Sequence, residues 1–133
     1  RLAYGINLDL FGYEISEKFK NPERFDIVIF KYPDDESRLF IKRVIGLPGE
    51  VVEIKDGKVY IDGSPTPLDD SFIPEKMIGS YGPYTVPENS YFMLGDNRND
   101  SKDSRSWKNK FVRFDQLVGK AIVRYYPSFK WLG

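Results

Sequence analysis

Between Leu94 and Arg105 the chain reads Leu-Gly-Asp-Asn-Arg-Asn-Asp-Ser-Lys-Asp-Ser-Arg, placing three cations, three acids, two amides and two hydroxyls directly behind the apolar run Tyr91–Leu94. Oxygen-rich turns of this kind can hold a hard cation, perform acid–base chemistry, or simply form a solvated loop whose charges cancel. A calcium loop is excluded by spacing. Arg98 falls where a ligand belongs, Ser101 where the turn glycine belongs, and Trp107 where the closing bidentate acid belongs. What remains is Ser101, Asp103 and Arg105 at alternate positions, which point the same way if the segment is extended.

A second group capable of chemistry lies inside a strand-like run. In Leu39–Ile45 a period of two sends Leu39, Ile41, Arg43 and Ile45 to one face and Phe40, Lys42 and Val44 to the other. If both faces are covered, cations are buried. Arginine keeps its charge almost anywhere, whereas a desolvated lysine can lose its proton and act as a general base. The plainer alternative is that both side chains snorkel from a one-sided sheet and pair with Asp34 or Glu36. Composition alone does not join Lys42 to Ser101.

Composition limits the chemistry further. The 133 residues contain no cysteine and no histidine, which rules out disulfides, thiolate or imidazole metal sites, cysteine proteases and Ser-His-Asp triads within them. Acid–base work must fall to carboxylate, amine, phenol or hydroxyl groups. Lys plus Arg (20) balances Asp plus Glu (20), so the basic excess that phosphate-backbone binding uses is missing and nucleic acid is not an expected partner. The longest apolar runs, Ile27–Phe30 and Tyr91–Leu94, fall far short of the roughly 20 residues that span a bilayer, and a soluble domain is expected. Because the chain begins at Arg1 rather than at methionine, an upstream segment is expected as well.

The elements that would position these groups are short strands. Aromatic residues make up 16%, and nine prolines with eleven glycines interrupt long periodicities, so a mostly β single domain is expected. Arg1–Phe11 reads as a strand, and Glu14–Lys20 as either a helical turn or a strand. Asn21–Arg24 is a turn leading into Phe25–Phe30, a buried strand, which pairs with Arg38–Ile45 across the polar connection Lys31–Ser37. Gly46-Leu-Pro-Gly49 fits a type II turn. Val51–Lys55 and Lys58–Ile61 form a hairpin about Asp56-Gly57, a type I′ signal, closed by Asp62-Gly63. Ser64–Glu88, with five prolines, reads as an irregular surface excursion. Tyr91–Leu94 and Gly119–Tyr126 are strands, with a short helical turn at Phe114–Leu117.

Three blocks together resemble the type I signal peptidases, in their compact Gram-positive-like form: Arg24-Phe-Asp-Ile-Val-Ile-Phe-Lys-Tyr-Pro33, Phe40-Ile-Lys-Arg-Val-Ile-Gly-Leu-Pro-Gly-Glu50 and Gly95-Asp-Asn-Arg-Asn-Asp-Ser-Lys-Asp-Ser-Arg105. Gly119–Pro127 matches too, so the resemblance covers nearly the whole chain. It implies coiled antiparallel sheets in a partly open, barrel-like catalytic domain with little helix and no metal or other cofactor. It also implies a membrane-anchored serine protease with a Ser/Lys dyad, on the extracytoplasmic face of a bacterial membrane, removing signal peptides from exported preproteins at A-x-A-like sites. By this resemblance Lys42 is the general base and Ser101 holds its amine. Asp103 and Arg105 form a supporting ion pair, Gly95, Asp96 and Asn97 shape the loop, and Phe40 and Ile41 line a groove for an extended peptide.

Two departures qualify the match. Phe25 stands where the family has glycine, and the Ser-Met-x-Pro-Thr-Leu block that carries the nucleophile is missing from the sequence. The chain is therefore expected to be a catalytic-domain fragment, inactive alone, whose nucleophile and membrane anchor lie upstream. The alternative is a non-catalytic relative that uses the groove to bind or assemble surface proteins. Against it stand the retained Lys42 and the complete Gly95–Arg105 block. A self-cleaving repressor-type Ser/Lys protease ranks third, since it would lack the Arg98-to-Arg105 constellation.

Overall fold

The computed structural model describes residues 9–10, 13–16, 20–73, 76–99 and 102–124. Most of the expected strand in Arg1–Phe11, the last residues of the expected strand ending at Tyr126, and Ser101 lie outside them. The described residues form ten strands: β1 (Asp9–Leu10), β2 (Tyr13–Ser16), β3 (Ile27–Tyr32), β4 (Asp35–Gly46), β5 (Val51–Lys55), β6 (Lys58–Ile61), β7 (Tyr81–Thr85), β8 (Ser90–Leu94), β9 (Val112–Arg113) and β10 (Leu117–Arg124), with a 3-10 turn at Phe114–Gln116. The expected mostly β fold is what is found, as antiparallel sheets that do not close into a barrel.

One sheet has seven strands in the order β1-β2-β10-β3-β4-β8-β9; the other has three, β6-β5-β7. Its central hairpin, β3 with β4, brings Val28 opposite Lys42 and Phe30 opposite Phe40. The polar residues Asp35–Ser37, read from sequence as part of the connection, belong to β4, because the reversal is confined to Pro33 and Asp34. Both turn readings hold. Gly49 has φ 83° and the Glu50 N–H donates to the Leu47 carbonyl at 3.1 Å, as a type II turn requires. Asp56 and Gly57, at φ 48° and 78°, make the type I′ turn of the β5–β6 hairpin.

Two readings need correction. Ser64–Glu88 is not wholly irregular, since β7 lies within it and pairs with β5. Pro83 hides this strand from sequence patterning; it cannot donate to a ladder, and it sits on the outer strand of a three-stranded sheet, where that loss is tolerated. The strand expected from Phe25 begins only at Ile27, because Phe25 takes φ 74°, the left-handed region.

The large sheet is covered on both faces. Val28, Phe30, Val44, Tyr91, Met93, Trp107 and Val112 pack on one side, and Tyr13, Ile15 and Ile29 on the other, with Ile41 against them. A third cluster joins the two sheets through Ile45, Val52, Ile54, Met77, Phe92 and Leu94. The link is tight at Gly46, where a Cβ would lie 2.6 Å from Val52 Cγ2 and 2.9 Å from Phe92 Cβ, so only glycine fits this irregularity in the β4–β8 ladder.

Candidate functional site

Strand alternation places Lys42 between Phe40 and Val44 on the face covered by Tyr91, Met93 and Trp107, partly removed from water. Its Nζ lies 5.8 Å from the Phe40 ring centre. Among the described residues no ion pair involves it. Burial pushes the amine below the ordinary lysine value of 10.5; Asp103 pulls it back up, Arg105 pushes it down and Asp96 pulls it up, in that order of weight.

Arg43, on the opposite face, is fully engaged. Its Nε and Nη2 donate to the two oxygens of Asp96 at 2.9 and 2.7 Å, and its Nη1 donates to the Phe25 carbonyl at 2.9 Å. The left-handed turn at Phe25 has a part in this. It lets the Phe25 N–H donate to Val44 at 2.7 Å while its carbonyl serves Arg43. Asp34 and Glu36, the alternative partners for these cations, are occupied elsewhere. Asp34 accepts from the backbone N–H groups of Lys108 and Asn109 at 2.8 Å, and Glu36 accepts from Gln116 Nε2 at 2.7 Å.

The Gly95–Arg105 loop folds around one carboxylate. Asp103 is fully buried and accepts from Gly95 N (3.1 Å), Arg105 N (3.1 Å), Arg105 Nε (2.8 Å) and Arg105 Nη2 (2.7 Å). Burial works against the Arg105 cation, but the hydrogen bond and charge of Asp103 outweigh it and hold Arg105 above its ordinary value. The loop returns to β8 through Ser104, whose N–H donates to Met93 O at 3.1 Å while its Oγ accepts from Met93 N at 2.8 Å. Gly95 is buried under the loop, Asp96 partly so, and Asn97 faces solvent. Asp96, Asp103 and Arg105 thus share the electrostatic environment of Lys42. Phe40 and Ile41 are sent to opposite faces of β4: Phe40 stacks on Tyr32 at 4.2 Å, and Ile41 packs towards Ile15 and Ile29.

Sequence reasoning missed four contributors. Arg98 was read as a residue that spoils a calcium loop and as part of the Arg98-to-Arg105 constellation, but not as a buried cation; it is 2% exposed, donates through Nε to Gly95 O at 3.0 Å and pairs with Asp70 at 2.7 Å. Asp70 is its partner from the 64–80 excursion, and Asn99 adds a second tie there by donating to Lys76 O at 2.8 Å. Tyr81, on β7, lies beneath the Arg105 guanidinium, 5.3 Å from its ring centre. A cationic residue in an acid-rich turn hints at a buried ion pair, but no local signal names a partner 28 residues away. No cluster of acids able to hold a metal occurs among the described residues. Chemically, the arrangement offers a desolvated amine beside a neutralised carboxylate, suited to accepting a proton from a hydroxyl.

Residues 5–126 match the family model described as signal peptidase, peptidase S26. A probable signal peptidase I-2 from Synechocystis sp. is 42% identical over 92% of this chain and 56% of its own length. A signal peptidase I from Leptolyngbya laminosa is 39% identical over 92% of the chain and 62% of its own length. The chain thus spans between 56% and 62% of these two curated relatives. The fold is similar to the crystal structure of a signal peptidase I from Enterococcus faecalis, with TM-score 0.66 and 34% identity, covering 79% of this chain and 100% of that one.

Proposed function

Because the chain belongs to the signal peptidase, peptidase S26, family, we propose that it is the catalytic domain of a serine endopeptidase that removes signal peptides from exported preproteins, cutting after small residues at A-x-A-like sites. The observation that carries this reading is the Lys42 amine, depressed by burial on β4 and flanked by the Asp103–Arg105 pair. In the proposed reaction the hydroxyl oxygen of a serine outside these 133 residues bonds to the scissile carbonyl carbon while its proton passes to neutral Lys42 Nζ. The C–N bond then breaks, the lysine ammonium delivers that proton to the departing amine, and an acyl-enzyme remains. Water attacks the ester with Lys42 again as base, which releases the mature N-terminus's former partner as a free acid and regenerates both groups.

Ser101 orients the amine in this scheme. Asp103 clamps the loop, and Arg43 with Asp96 fixes β4 against it from the far face. The substrate lies extended beside β4, with Phe40 and Ile41 on the two flanks of that strand, and an anchor outside this chain holds the domain at the extracytoplasmic membrane surface. The test uses the full-length protein and a signal-peptide substrate. Lys42→Ala is expected to lower kcat by about 10²–10⁴-fold, the usual contribution of a positioned base; retention of most of the activity contradicts the role, and a full-length wild type that binds preproteins without cutting them supports the binding-protein alternative.

A further inference from the structure

The second sheet reaches the Arg105 guanidinium through Tyr81. Tyr81 opens β7, pairs with Ile54 of β5, and packs its ring against the cluster that joins the two sheets. Its other side meets Arg105, whose guanidinium carbon lies 5.3 Å from the ring centre. Tyr81 also acts on Arg105 electrostatically, and its hydroxyl reaches back to the Ile78 carbonyl at 3.4 Å. Arg105 is thus sandwiched: Asp103 takes two of its nitrogens edge-on, the Arg98 carbonyl takes Nη2 at 2.6 Å, and the phenol closes the remaining side. Its side chain is only 9% exposed, and Asp103 is 0% exposed.

We propose that Tyr81 is a positioning residue for the general base: by covering Arg105 it keeps the cation locked on Asp103, so that the buried carboxylate is neutralised within the loop and not by the Lys42 amine. This rests on the reading of Lys42 as base. The physical link is short. A buried carboxylate attracts whatever cation it can reach, and a guanidinium released to water stops competing for it. Among the described residues the charged groups acting on Lys42 are Asp103, Arg105 and Asp96; Asp96 is held by Arg43 from the other face, so the Asp103–Arg105 pair is the one that Tyr81 controls. An aromatic face suits the role, because it attracts a planar cation, and the Tyr81 hydroxyl adds a hydrogen-bonding influence that also favours the charged guanidinium.

Tyr81→Leu keeps apolar bulk against the cluster that joins the sheets but removes the aromatic face, and Tyr81→Phe keeps the face without the hydroxyl. In the full-length protein Tyr81→Leu is expected to lower kcat by about 3- to 10-fold with KM little changed, and to move the acidic limb of the kcat/KM profile to higher pH. Tyr81→Phe, which loses only the hydroxyl's influence on Arg105, is expected to fall between the wild type and Tyr81→Leu. Titration of the Lys42 side chain by carbon NMR, which needs no nucleophile, should move upward in Tyr81→Leu. Unaltered Lys42 titration and pH profile in a folded Tyr81→Leu overturn the inference, as does a Tyr81→Phe equally impaired. If Lys42→Ala itself retains activity, the failure belongs to the assignment of the base and not to Tyr81.

Discussion

Lys42 and Arg43 are neighbours on one strand, yet the fold handles their charges in opposite ways. Arg43 receives everything a buried cation needs: a bidentate carboxylate from Asp96 and a carbonyl from Phe25. Lys42 receives burial, the ring of Phe40 beneath its amine at 5.8 Å, and no ion pair among the described residues. The difference follows from residue chemistry. A guanidinium stays charged under almost any burial and must be satisfied, so it serves as structure; an amine can shed its proton, so withholding a partner makes it reactive. The strand's alternation puts the structural cation and the reactive one back to back, with β4 rigidly fixed by the first while it presents the second.

The comparison breaks if the two positions respond alike to loss of charge. Arg43→Met should destabilise the domain by about 3 kcal/mol, because it strands the Asp96 carboxylate and the Phe25 carbonyl, and a denaturant midpoint shift reports it. Lys42→Met should do the reverse, stabilising by about 1 kcal/mol at low and neutral pH while abolishing cleavage. The sign follows from the depressed native value. Below it both folded and unfolded chains are protonated and the folded one carries the burial penalty; as pH rises through it towards 10.5, the unfolded chain holds more protons and wild-type stability climbs. Lys42→Met should lack that slope. If both substitutions destabilise equally, Lys42 is a satisfied structural cation.

A smaller test bears on how Arg43 is satisfied. Phe25 supplies its carbonyl from φ 74°, a region where a side chain is strained, and it recovers something through an edge contact with Phe72 at 5.1 Å. Both Phe25→Gly and Phe25→Ala lose that contact, but only alanine keeps the strain. Phe25→Gly should therefore be more stable than Phe25→Ala by about 1 kcal/mol by thermal unfolding. Equal stabilities would mean that the backbone there is relaxed.

Much of this arrangement was legible in the chain before folding. The β5–β6 hairpin is written in Asp56-Gly57, the turn after β4 in Pro48-Gly49, and the contrast between the faces of β4 in simple alternation, because each depends on residues adjacent in sequence. What stayed hidden is long-range. No local pattern says that Asp96 pairs with Arg43 across 53 residues, or that Asp70 meets Arg98 across 28. Nor does any local pattern show that Tyr81, inside a proline-broken stretch, becomes a strand and then a cover for Arg105. Only the family resemblance joined Lys42 to the Gly95–Arg105 block; the electrostatics around Lys42 depend on which loops are stapled together.

The central claim is that burial holds the Lys42 amine below its ordinary value. Selective carbon-13 labelling of lysine, with Lys42 assigned by substitution, gives its titration directly in the folded domain. The account predicts a midpoint clearly below the ordinary lysine value of 10.5. A Lys42 midpoint at or above 10.5 would contradict it, marking the amine as a permanently charged partner of Asp103.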